Sequence, residues 1–215
     1  ITVSQQGAAR ATDAGYNPYT YQKRVYIFPH IPCGWAGLGG GSSAWINQAA
    51  SNLVIGHELG HCFGQGHSSS LDCGALVVGG TGSISEYGDA YSVMGNSEAR
   101  HFPAYMKNNL GYFPVGTVAT HASGPTTYTL SPIEVAGGSL YAVKVPIAET
   151  GRTYWLEYRQ PIGFDSSMSG NPIHGTLMRL GPGYPAYSCN TCLLDMTPDV
   201  DQFGNAALAV GVSYF

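Results

Sequence analysis

The segment His57-Glu58-Leu59-Gly60-His61-Cys62-Phe63-Gly64-Gln65-Gly66-His67 carries the densest chemistry in the chain. On a helix, residues four apart share a face, so His57 and His61 can present both imidazoles to one metal ion. Zinc–nitrogen bonds of about 2.0–2.1 Å suit that spacing. Glu58 lies beside the pair, near enough to reach a metal-activated water without ligating the metal, which is the position of a general base. Gly64 follows His61 by three residues, tolerates positive φ and can end the helix in a sharp turn. The chain can then fold back so that His67 completes a three-nitrogen face. A fourth position stays open to water, as in catalytic rather than structural zinc sites. For a chain of this composition, chance produces the pattern on the order of 3 times in 100,000. A structural site would close the fourth position with a protein ligand and have no use for Glu58. One catalytic Zn²⁺ is therefore the expected cofactor.

The elements that must position these residues are partly legible. A helix is expected from Ser51 or Asn52 to about Phe63, with Ser51 as a plausible N-cap. Upstream, Ala8, Ala9 and Ala11 suggest a short helix ending near Gly15, and Arg24–Pro29 reads as a buried strand. Trp35–Gly41 is too glycine-rich for a central strand and fits an edge strand or loop with an accessible backbone. His67–Tyr91 is Gly/Ser-rich and expected to be irregular. Glu98–Leu110 could form one more helix, broken near Pro103 and ended by Gly111. Beyond Val115 the pattern changes to short β-type runs: Thr126–Leu130, Leu140–Val145, Thr153–Tyr158, Leu177–Leu180 and Ala207–Val212. Turn signals at Gly137-Gly138, Gly181-Pro182-Gly183 and Gly204-Asn205 separate them. The expected fold class is α+β. A catalytic core over residues 1–114 is followed by a β-rich subdomain over 115–215.

Composition excludes several roles. Of 215 residues, 9 are Lys or Arg and 13 are Asp or Glu, giving a net charge of -4. So few basic residues make nucleic acid an improbable partner. With 44% apolar or aromatic residues, charge-driven disorder is also excluded. No apolar run approaches the ~18 residues of a transmembrane segment. The first residues, Ile-Thr-Val-Ser-Gln-Gln, show no basic or apolar leader, so any signal peptide has been removed or lies outside this sequence. Five cysteines leave at least one without a partner in the chain. Cys189-Asn-Thr-Cys192 could be a redox pair, half of a zinc site or a local disulfide. A loop disulfide in an oxidising compartment is the favoured reading.

His-Glu-x-x-His-x-x-Gly-x-x-His is the signature of the metzincin zinc endopeptidases, and residues 57–67 resemble it throughout. Tyr91-Ser-Val-Met94-Gly95 resembles the methionine turn of that family, with Met94 as its methionine. Two positions later stands Asn96, where astacins and serralysins have Tyr, which disfavours those subfamilies. The chain looks most like the gametolysin (autolysin)-like peptidases. Cys33-Gly-Trp-Ala-Gly-Leu-Gly39, Ala44-Trp-Ile-Asn47, Ser70-Leu-Asp-Cys-Gly74 and Glu86-Tyr-Gly-Asp89 carry that likeness, over roughly residues 21–113. The resemblance implies a metzincin-like domain with a central active-site helix. It also implies that Gly37, Leu38, Gly39 and Gly40 lie on the edge strand that binds substrate by added-strand pairing. It favours a Cys33–Cys73 disulfide with Cys62 as the thiol, Cys62–Cys73 being the alternative. Only 56 residues precede His57, where that family carries four or five strands. Either upstream sequence is missing or this lobe is small.

The remaining residues support smaller expectations. Glu86 and Asp89 could orient a zinc-ligand histidine or belong to a Ca²⁺ site, but a solvated turn is favoured. His101, His121 and His174 lack metal-type spacing. In Tyr154–Arg159, Trp155, Glu157 and Arg159 share one strand face, and the run is read as structural. The implied activity is that of a secreted, monomeric zinc endopeptidase acting on extracellular proteins or glycoproteins. The alternatives are a zinc hydrolase of non-peptide amides and an inactive zinc-containing binding module.

Overall fold

The computed structural model describes residues 2–48, 50–79, 82–95, 98–182, 189–198 and 203–213. It is an α+β structure with two sheets, divided into compact units Ile1–Gly66 and His67–Phe215. Among the described residues, no helix is long and apolar enough to cross a membrane.

The first unit begins with helix α1 (Val3–Asp13). The Thr2 hydroxyl accepts the Gln5 amide, and the Gln5 side chain accepts the Thr2 amide, a reciprocal capping box. Strands β1 (Arg24–Phe28), β2 (Gly37–Gly40) and β3 (Ser43–Asn47) form a sheet in the order β1-β3-β2. β1 runs parallel to β3, and β2 antiparallel to it. Gly7 allows α1 to approach β1, since a Cβ there would lie 2.8 Å from the Tyr26 ring. Trp45 stacks on Tyr26 and donates its indole N–H to Ser4 Oγ at 2.7 Å. The expectation of a buried β1 is corrected: Val25 and Ile27 are 38% and 56% exposed. Helix α2 (Asn52–Cys62) packs on β2 and β3. It therefore buries Ala44 and Ile46 rather than their β1 partners.

α2 starts where its sequence indicates, with the Ser51 hydroxyl accepting the Val54 amide at 3.2 Å. At the other end, Lys23 Nζ donates to the Cys62 carbonyl and, at 2.8 Å, to the Gly41 carbonyl. Its ammonium also lies 5.4 Å from the Phe63 ring centroid. A cation thus caps the C-terminal carbonyls of α2 and ties them to the β2–β3 turn.

The second unit is built on a seven-stranded sheet. Its strands are β4 (Ser68–Asp72), β5 (Ser83–Ser85), β6 (Val118–Thr120), β7 (Ala142–Ile147), β8 (Arg152–Tyr158), β9 (Thr176–Leu180) and β10 (Thr191–Leu194). Their spatial order is β5-β4-β10-β9-β8-β7-β6, with β10–β4 and β6–β7 parallel. Residues 67–91 are therefore not irregular throughout, because β4 finds a partner in β10 more than a hundred residues away. The same pairing puts the boundary expected at 114/115 inside this unit. Thr126–Leu130 forms no strand, and of Ala207–Val212 only Leu208 bridges, to Thr176. Helix α3 (Ala104–Asn109) is shorter than the expected 98–110. Pro103 sits at its N-cap and disfavours helical geometry in the residue before it. Gly183 of the expected turn lies outside the described residues.

Cys189–Cys192 is a disulfide. The expected Cys33–Cys73 pairing, and its Cys62–Cys73 alternative, are not formed: Cys33, Cys62 and Cys73 are thiols. Each is committed within its own unit. Asn47 Nδ2 donates to Cys33 Sγ at 3.2 Å, while Cys73 packs against the core of Leu71, Leu194 and Met196.

Candidate metal centre

His57 and His61 ride on α2 one turn apart, with ring centroids 4.8 Å apart and planes at 83°. After Phe63 the chain turns at Gly64, whose φ is +81°. A Cβ there would meet nothing within 4 Å. The glycine is thus required for its backbone angle and not for space. His67 follows. One ligand atom from each of His57, His61 and His67 can be chosen so that all lie within 4.8 Å of one another, an arrangement that could hold a metal ion.

The hydrogen bonds of two rings fit that role. His61 Nδ1 lies 2.8 Å from the Gln65 carbonyl oxygen, and His67 Nδ1 lies 2.7 Å from Glu86 Oε1. Both oxygens only accept, so each Nδ1 carries the proton and the lone pair falls on Nε2. Metal-ligating histidines are commonly oriented in this way by a carbonyl or carboxylate. Three imidazole nitrogens are a donor set found in zinc sites. Of the two carboxylates expected in a solvated turn or beside a histidine, Glu86 bonds the His67 ring. Tyr87 packs against the same ring, with centroids 4.1 Å apart.

Glu58 is buried against β2. The Gly39 amide donates to its carboxylate, and burial pushes the carboxyl above its usual range despite that bond. A Cβ on Gly37 would lie 2.5 Å from Glu58 Cγ, and one on Gly39 2.1 Å from the Glu58 carbonyl oxygen. Alternate glycines on the edge strand therefore let it lie directly on the helix at Glu58. Leu38 points to the other face and is 52% exposed, and Gly40 has open space at its Cβ position. The family resemblance associates these glycines with substrate. Their contact with Glu58 had no signal beyond the i, i+2 repetition of Gly37 and Gly39.

Met94 is fully buried in the second unit. Its carbonyl accepts the Ser68 amide at 2.9 Å, which joins the turn to the residue after His67. Its own amide donates to Ser92 Oγ at 3.1 Å, and Ser92 Oγ pairs with Ser68 Oγ at 2.7 Å. Asp89 anchors the start of this turn. It accepts the Tyr91 amide at 2.9 Å and the Arg179 guanidinium at 2.7 and 3.2 Å. Engaged in this way, Asp89 is a structural anchor rather than a Ca²⁺ ligand or an orienting group for a histidine. Arg159 extends the network through the Tyr91 carbonyl, Glu157, Glu134 and Asp165. Glu157 and Arg159 are thus structural, as their strand pattern indicates. Asn96 lies outside the described residues.

Gln65, Tyr87 and Lys23 were not singled out from the sequence. Gln65 acts through its backbone carbonyl, which any residue carries, and the other two act through contacts that spacing does not encode. Comparison of the chain with family models, with curated proteins and with solved structures returns no match.

Proposed function

We propose that this chain is a secreted zinc endopeptidase of metzincin type that hydrolyses peptide bonds in extracellular proteins or glycoproteins. The observation that carries the proposal is the convergence of His57, His61 and His67, with Glu58 next to His57 in sequence and held on β2. His57, His61 and His67 would hold one zinc ion, which when bound supplies Lewis acidity to a water and to the scissile carbonyl. Glu58 takes the proton of the attacking water and returns it to the departing amine. Its burial favours that return, because a desolvated carboxylate binds a proton more readily than an exposed one. The β2 edge offers backbone groups to an extended peptide, so recognition would rest on main-chain pairing. The Cys189–Cys192 disulfide fits an oxidising, extracellular setting.

Digestion of unfolded casein or gelatin tests the proposal, with and without 1,10-phenanthroline and alongside Glu58→Gln. The expected result is cleavage that the chelator abolishes and that Glu58→Gln lowers by about 10²–10⁴-fold, with zinc retained in the variant. Zinc in both forms with cleavage by neither would favour the binding module. Turnover of small amides without cleavage of protein would favour the non-peptide hydrolase.

A further inference from the structure

His67 immediately precedes β4, and the β4–β5 hairpin pairs Ser70 with Ser85, Leu71 with Ile84 and Asp72 with Ser83. Continued by one and two residues, that register sets Glu86 and Tyr87 opposite Ser69 and Ser68, next to His67. Two bonds hold the continuation. Ser69 Oγ donates to the Glu86 carbonyl at 3.0 Å, and the Asp89 amide donates to the Ser68 carbonyl at 3.2 Å. Gly88 permits the approach, since a Cβ there would come within 2.0 Å of Ser70 Oγ.

We propose that Glu86 and Tyr87 form a clamp on His67 that fixes its tautomer and ring plane and so sets how tightly the chain holds its metal. The inference rests on reading the three histidines as metal ligands. His57 and His61 have their directions fixed by a capped helix, whereas His67 lies in irregular chain between Gly66 and the start of β4. Its ring must be oriented by its surroundings. The Glu86 carboxylate accepts the Nδ1–H at 2.7 Å, which leaves Nε2 as the atom that would face a metal. The Tyr87 ring lies against the imidazole at a 39° tilt and limits its rotation. Both are positioning residues acting through His67. The Glu86 side chain is 69% exposed. As a surface pair with His67 it adds little to folding. Its effect therefore appears in metal affinity and not in stability.

The test measures zinc affinity of the full chain by competition with a chromophoric chelator. Wild type is compared with Glu86→Ala, Glu86→Gln and Tyr87→Leu, and urea midpoints are taken on the zinc-free forms. Glu86→Ala is expected to weaken zinc binding about 10–100-fold. Glu86→Gln keeps an acceptor oxygen and weakens binding less, and the zinc-free midpoints stay together. Nitrogen NMR of the zinc-free protein is expected to show His67 as the Nδ1–H tautomer in wild type but not in Glu86→Ala. Zinc affinity of Glu86→Ala within twofold of wild type, or an unchanged tautomer, overturns the clamp and leaves the metal centre standing. A wild type that binds no zinc overturns both. A clamp effect of the expected size in a protein that cuts no substrate leaves the clamp intact and removes the endopeptidase reading.

Discussion

Glu58 owes its position to residues without side chains. Gly37 faces its side chain and Gly39 its backbone carbonyl, while Gly40, the next residue along, faces open space. The three glycines should therefore respond differently to the same added methyl. Gly39→Ala forces a Cβ to 2.1 Å from a helix carbonyl that cannot swing away. It is expected to destabilise the protein by about 1–3 kcal/mol, the range for overpacking, and to depress turnover by displacing Glu58. Gly40→Ala is expected to leave the urea midpoint close to wild type. Equal losses in the two variants would show that β2 needs glycine for another reason. At this scale the sequence was most informative where chemistry depends on spacing along one helix. His57, Glu58 and His61 needed only the 3.6-residue period, and His67 only a turn at Gly64. It was least informative where the relevant group is a backbone carbonyl, as with Gln65, or a close approach between two elements, as with Gly39.

Elements followed the same division between local and distant causes. α1, α2 and β2 were readable because their caps, glycines and edge character are encoded in neighbouring residues. β4 was not, since its serine-rich run becomes a strand by pairing on one side with distant β10 and on the other with β5. Thr126–Leu130 has strand-like residues but gains no partner, so propensity alone does not make it a strand. The ends of β8 and β9 carry a buried ionic network that no spacing rule reveals. There, Arg159 is contacted by Glu134, Glu157 and Asp165, and Arg179 by Asp89 and Glu157. Four carboxylates around two guanidiniums leave surplus negative charge, with Lys107 nearby as a further, weakened cation. Burial, and then a hydrogen bond with Asp165, raise the Glu134 carboxyl to about 7. A carboxyl raised on folding contributes stability that is fully present below its unfolded value of 4.5 and is lost as pH rises through about 7. His101, lowered by burial, works in the opposite sense toward 6.5, so the wild-type curve alone does not isolate Glu134. The difference between wild type and Glu134→Gln does. Urea midpoints from pH 4.5 to 8 are expected to show the variant losing less stability than wild type as pH rises through 7. Parallel profiles would mean that Glu134 is ionised throughout.

For the whole molecule, the proposed activity rests on the three-histidine set, which could hold a metal ion. The cysteines show why sequence falls short at this scale. Cys189 and Cys192 are close along the chain and form the expected bond, whereas Cys33 and Cys73 share only a family-like context and remain thiols. Cys62, next to His61, is buried and near the Gly40 carbonyl at 3.8 Å. Thiolates compete well for zinc, whereas the proposed ligand set is nitrogen from three histidines, no sulfur, and one position left to solvent. X-ray absorption spectroscopy of the zinc-loaded chain, with the zinc content of the same sample, tests it most directly. The predicted result is one zinc per chain in a shell of only nitrogen and oxygen at about 2.0–2.1 Å. A sulfur shell at about 2.3 Å, or a folded chain that takes up no zinc, would contradict it.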